Sequence, residues 1–183
     1  VYLFLEKKHP VTYSYLQGYP IYLCLSFSTK TKLRNYSKNY MNQLGRQVGC
    51  LCYKWVNKKL KVLIVTSKTT KRWIIPKGWI QKKLGASGSA AAEAWEEAGA
   101  LGICHKKKFG DFKDIKILKD GYPLECIVDV FLMKTITQKA EFPEKSIRSV
   151  KWIDPEDAVS FIGNESLIQL LKSFDAKKSK ASI

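Results

Sequence analysis

Three carboxylates stand close together in an otherwise small and apolar stretch. Glu93, Glu96 and Glu97 occupy positions i, i+3 and i+4 of the segment SAAAEAWEEAGA. On a helix these positions share one face. That face carries no lysine or arginine, and the cluster falls in the last two turns, where the helix dipole disfavours anions. A merely solvated acidic face would normally bring lysines one turn away. Oxygen-rich clusters of this kind suit hard divalent cations, which take carboxylate and carbonyl ligands.

The rest of the composition is basic. The 183-residue chain has 32 Lys and Arg against 16 Asp and Glu, a formal net charge of +16. No acidic residue occurs between Lys7 and Ala92, so the glutamate cluster ends a long, purely basic half. This arrangement favours an anionic partner such as a polyphosphate, nucleotide or nucleic acid. A general nucleic-acid surface would account for the charge but not for the carboxylates.

Five cysteines without paired CxxC spacing, and only His9 and His105, argue against a zinc site and for a reduced, cytoplasmic protein. Cys50 and Cys52 alternate in an apolar run and are expected to pack on one strand face. The apolar run Ile21 to Phe27 is too short to span a membrane, which takes roughly 20 residues. It also lacks a signal-peptide cleavage pattern.

The elements that must position the carboxylates follow in order. Residues 1–40 differ from the remainder and are read as an N-terminal extension, either non-native or poorly ordered, with a domain over 41–175 starting near Met41, the first methionine. Residues 176–183 form a basic tail. Gln47 to Val56 and Leu60 to Thr66 read as a hairpin turning at Asn57-Lys58-Lys59, and Trp73 to Ile75 as a short strand stopped by Pro76. The helix that follows is expected to be capped by Ser87 or Ser89 and closed by Gly99 in the left-handed conformation. Its other face, Ala91, Ala94, Trp95 and Ala98, is expected to pack on the sheet, with Trp95 in the core. Strands over 103–118 and 124–133 come next, then a loop over 134–147 holding Glu141, Pro143 and Glu144. A last strand at 150–153, a helical start at Asp154-Pro155 and a final amphipathic helix over 165–174 complete the chain.

The stretch from Gly78 to Ala100 resembles the Nudix box, G-x5-E-x7-R-E-U-x-E-E-x-G-U with U aliphatic. Gly78, Glu93, Glu96, Glu97 and Gly99 fall in register, and Ala94 and Ala100 fill the aliphatic positions. Leu84 stands where the pattern has its early glutamate, and Ala92 where it has arginine. Both being apolar, neither leaves an unpaired charge. With RWIIPKGW before it and VKWIDPEDA after it, the box is similar to that of a bacterial branch resembling diphosphoinositol polyphosphate phosphohydrolases. The resemblance covers roughly Gln47 to Leu171.

That resemblance implies an α/β Nudix fold, an α/β/α sandwich with a mixed central β-sheet. It implies a hydrolase in which water attacks one phosphorus of a diphosphate linkage. Glu93 and Glu97 are expected to hold Mg2+ or Mn2+ with the main-chain carbonyl of Gly78, and Glu96 to complete the shell or orient water. The general base is expected to be Glu93 or Glu144. Arg72, Lys77, Lys82 and Lys83 flank the box as candidate phosphate contacts. The small-molecule substrate is expected to be a diphosphoinositol polyphosphate, a dinucleoside polyphosphate or an NTP-type compound. Removal of pyrophosphate from RNA 5′ ends, and a nucleotide- or RNA-binding module without efficient turnover, are the alternatives. Leu84 and Ala92 favour the second of these, and the three helix glutamates count against it.

Overall fold

The computed structural model describes residues 13–16, 19–22, 44–118, 121 and 123–174. The chain divides into two units, 1–43 and 44–183. In the first, strands β1 (Tyr13–Leu16) and β2 (Tyr19–Tyr22) pair antiparallel. The remaining expectations for residues 1–40, and the tail at 176–183, lie outside the described residues.

The second unit is built outward from strand β3 (Gly45–Val56). Its residues from Gln47 to Tyr53 are buried without a break, as happens when both faces of a strand are covered. Alternate side chains therefore serve two layers. On one side Tyr53 meets the Phe174 ring at 5.4 Å. On the other, Cys50 contacts Cys104, whose thiol donates to the Ser87 carbonyl at 3.4 Å. Cys50 and Cys52 are core residues with sulfurs 3.5 Å apart.

Asn57 and Lys58 both have positive φ, 48° and 63°, which supplies the twist of a two-residue hairpin into β4 (Lys59–Thr66). Strands β5 (Trp73–Ile74) and β6 (Lys77–Trp79) pair with β4 and β3 respectively. After helix α1 (Gly85–Ala98) come the long strands β7 (Ala100–Ile117) and β8 (Pro123–Gln138). Strand β8 runs parallel to β3 and antiparallel to β7, so the sheet is mixed, in the order β5-β4-β3-β8-β7. Strand β9 (Val150–Ile153) adds to β4, and helices α2 (Ala158–Phe161) and α3 (Glu165–Lys172) follow a 3-10 turn at Pro155–Asp157. The α/β fold with a mixed central sheet is thus as expected. Differences fall at element ends: β7 starts at Ala100, and residues 134–138, read as loop, extend β8.

Helix α1 packs on β3, β6, β7 and β8. Ala90, Ala94 and Ala98 are fully buried there, and their small side chains bring the helix axis close to the sheet. Trp95 is only half-buried and is not part of the core, because the packed face is rotated toward Ala90 and away from Ala91. Neither serine caps the helix. It begins at Gly85, about one turn before Ser89, with Leu84 at the cap position, and Ser89 instead lies buried within it. There its hydroxyl accepts from the Gln81 amide at 2.9 Å and donates to the Gly85 carbonyl at 2.5 Å, tying the preceding loop to the helix.

Gly99 ends α1 at φ 67°, and its amide donates to the Trp95 carbonyl at 2.9 Å. A Cβ there would sit 2.6 Å from the Lys139 carbonyl oxygen. Gly99→Ala is therefore expected to destabilise the protein by about 1–3 kcal/mol, from backbone strain and displacement of the 139 segment. Urea unfolding would read this as a lowered midpoint at constant slope; an unchanged midpoint would refute it.

Candidate active site

Strand β6 and helix α1 meet at one point of close contact. A Cβ on Gly78 would collide with the Glu93 carboxylate, so only glycine lets the two elements approach this far. Glu93, Glu96 and Glu97 face a cleft of ≈ 360 Å³ whose lining also includes Arg72, Lys77, Lys116, Glu144 and Arg148. The structure thus brings together Gly78, the three helix glutamates, Glu144, Arg72 and Lys77. Lys82 and Lys83 are exposed on the loop before α1 and do not line the cleft.

The three helix carboxylates do not share one environment. Glu97 is 4% exposed. Its oxygens take the Lys77 amide at 3.3 Å and the Arg148 guanidinium. Burial pushes it up to about 8, against the pull of Arg148. Glu93 is half-buried and is pushed up to about 7, first by burial and then by the neighbouring charges of Glu96 and Glu144. The side-chain carboxylates of Glu93 and Glu96 make no hydrogen bond or ion pair with another described residue.

Glu144 reaches the site from a distant segment because the chain after β8 docks on the end of α1. Gln138 donates to the Ala98 carbonyl at 2.9 Å, the Lys139 amide to the Gly99 carbonyl at 2.9 Å, and the Glu144 amide to the Glu96 carbonyl at 3.0 Å. Carbonyls left open at a helix C-terminus are thereby satisfied. Arg148 lies one turn beyond Glu144 and donates to it at 2.7 Å, to the Thr66 carbonyl at 2.8 Å and to Glu97. Burial raises the Glu144 carboxyl, but Arg148 and Lys68 outweigh it and hold the group below its ordinary value.

Sequence reasoning had missed Arg148 and Lys116. The first sits 51 residues from Glu97, and nothing in its local pattern marks it. Lys116, on β7, lies near enough for its charge to act on Glu93. Lys77, read as a phosphate contact, has its ammonium engaged with Asp114 at 3.1 Å and with Gln47 at 2.9 Å.

The donor set suits a hard cation. It consists of carboxylate oxygens, of which those of Glu93 and Glu96 have no partner among the described residues, with the Glu93 carboxylate lying against the Gly78 backbone. Among the described residues no three His, Cys, Asp or Glu side chains already converge in ligand geometry, as expected where Glu97 is held by Arg148 instead.

This architecture, a carboxylate helix following a glycine strand on a mixed sheet, is the Nudix fold. A solved Ap4A hydrolase of C. elegans, in a binary complex, superposes with a TM-score of 0.56 over 75% of this chain and 99% of its own, at 20% identity. The chain accordingly has the fold of the Nudix proteins, and its sequence likenesses point the same way. It is 27% identical over 120 residues to mouse diphosphoinositol polyphosphate phosphohydrolase 3-alpha, covering 64% of this chain and 68% of the relative. It is 25% identical over 154 residues to Arabidopsis thaliana Nudix hydrolase 12, mitochondrial, covering 75% of each. No family model matches the chain.

The raised carboxyls have a thermodynamic consequence for the metal-free protein. Their values in the fold, about 7 and about 8, lie above the ordinary 4.5, so the native state binds more protons than the unfolded chain between them. The stabilisation this gives is complete below pH 4.5 and is lost as pH rises through 7 to 8. Glu97 alone would account for a loss on the order of 5 kcal/mol, and Glu93, discounted for solvent screening, adds less. Denaturant titrations in chelator at pH 5.5 and 8.5 should show it, and a Glu93→Gln and Glu97→Gln double variant should flatten it. A parent protein whose stability does not fall relative to that variant would refute the burial argument.

Proposed function

We propose that the chain is a metal-dependent pyrophosphohydrolase that cleaves a diphosphate linkage in a highly anionic small molecule. The observation that carries the reading is a pair of carboxylates, Glu93 and Glu96, without partners among the described residues, facing a cleft that Arg72, Lys77, Lys116 and Arg148 also line. Diphosphoinositol polyphosphates, dinucleoside polyphosphates and NTP-type compounds are the substrate classes that fit, and the relatives' own names support the first two. The thiols of Cys50 and Cys52, close and free, suit a reducing compartment such as the cytoplasm. No described helix is long and apolar enough to cross a membrane.

Glu93, Glu96 and Glu97, with the Gly78 carbonyl, would hold Mg2+ or Mn2+. Such an ion would neutralise diphosphate oxygens and lower the pKa of a bound water. Arg72 and Lys116 line the cleft with cationic groups available to phosphate oxygens. Water adds to one phosphorus, the bridging P–O bond breaks, and the departing phosphate takes the bond's electron pair. Glu144, held below its ordinary value and therefore ionised at neutral pH, is the group that accepts the water's proton. Glu93 is the other carboxylate within the cleft suited to that role.

Glu97→Gln keeps the shape of the side chain while removing a metal-binding charge. It is expected to lower Mg2+-dependent phosphate release by about 100-fold or more with the circular dichroism spectrum intact. A panel of the three substrate classes, with product identity scored, supplies the measurement. Turnover equal to that of the parent on every active substrate would remove Glu97 from the metal site.

A further inference from the structure

One cation is already built into the carboxylate cluster. The Arg148 side chain is 8% exposed and lies between Glu97 and Glu144, the one on α1 and the other on the segment after β8. Its third bond, to the Thr66 carbonyl at 2.8 Å, fixes the guanidinium to the end of β4. Planar, bidentate-capable and permanently charged, an arginine is suited to bridge two carboxylates in this way.

The geometry points to Arg148 as the resident counter-cation of the site: it bridges Glu97 to Glu144, so that a divalent ion must compete with it for Glu97, and it fixes Glu144 over the cleft. This rests on the reading of the carboxylates as metal ligands. Arg148 is on this account a positioning residue, acting on the reaction through the two glutamates it holds.

The segment around it shows why one residue can do both. Residues 138–144 are docked on α1 by main-chain and amide bonds at Ala98, Gly99 and Glu96, which set where the backbone lies. None of those bonds reaches the Glu144 carboxylate, whose orientation depends on Arg148 at 2.7 Å and on exposed Lys68 at the longer 3.4 Å. On the other side, Glu97 has only the Lys77 amide besides Arg148. Removing the guanidinium frees a Glu97 oxygen for a metal and simultaneously releases Glu144.

The two consequences have opposite signs, which a purely structural arginine would not produce. In the full chain, Arg148→Ala is expected to bind Mn2+ about tenfold more tightly, measured without substrate by electron paramagnetic resonance of free Mn2+, because the competing charge is gone. Its kcat is expected to fall at least about tenfold at saturating metal, with a smaller change in KM. Arg148→Lys, which keeps the charge but cannot bridge both carboxylates, carries the test if the alanine variant fails to fold. It should lie between parent and alanine in Mn2+ affinity and still fall short of parental kcat.

Parent-like or weaker Mn2+ binding in folded Arg148→Lys and Arg148→Ala would overturn the competition. Parental kcat in either would overturn the positioning of Glu144. A parent protein that binds no Mn2+ would instead overturn the metal-site reading itself, which separates the two failures.

Discussion

A glutamate buried on an alanine helix is the constraint to which the surrounding structure answers. Glu97 is 4% exposed, and a carboxylate so placed is costly in its charged form unless it is paired and hydrogen-bonded. It cannot be moved outward, because Ala94 and Ala98 on either side of it are packed against the sheet with no exposure at all. The charge therefore has to be met from other elements: the Lys77 amide from β6 and the Arg148 guanidinium from the segment after β8. Together they offset the burial of a charge on the packed side of α1.

The same requirement explains the route of the chain after β8. A segment that only connected β8 to β9 would have no reason to cross the end of α1. Here it does so, and its amides take up the carbonyls of Glu96, Ala98 and Gly99. A left-handed glycine at position 99 turns the backbone so that this contact is possible. Glu144 and Arg148 arrive at the cleft as a consequence, and a site made of four carboxylates is assembled from two segments about 50 residues apart in sequence.

The fold was largely legible because its signals are local. Continuous apolar runs marked β3 and β4, an Asn-Lys turn marked the hairpin, and alanine content with Gly99 marked α1. The errors share a cause: where the helix begins and which face it buries are settled by packing, not by side-chain preference. Ser89 looked like a cap because its hydroxyl can accept an amide bond, and it does accept one, from Gln81, but from inside the helix. Trp95 is read as core because it shares a helix face with Ala91, Ala94 and Ala98. The close approach demanded by Gly78 and Glu93 leaves space only for alanine on the packed face, so tryptophan is turned toward the edge. In the site, the helix glutamates and Gly78 were readable from spacing, whereas Arg148 and Lys116 were not, because no local pattern ties a cation to a carboxylate on another element.

Charge was the least reliable guide, and the structure shows why. A net charge of +16 favours an anionic partner, yet the cations facing the cleft are mostly committed. Lys77 is paired with Asp114, Lys68 with Glu144, and Arg148 with two glutamates. Arg72 has Asp114 at 3.8 Å but remains 55% exposed, and Lys116 makes no ion pair with a described residue. Arg72 and Lys116 are therefore the least committed cations of the cleft, far fewer than the basic residues of the sequence. The excess positive charge elsewhere raises the local concentration of anions and speeds their arrival, but it does not set how much negative charge the cleft itself can balance. That balance depends on Arg72, on Lys116 and on the four glutamates beside them.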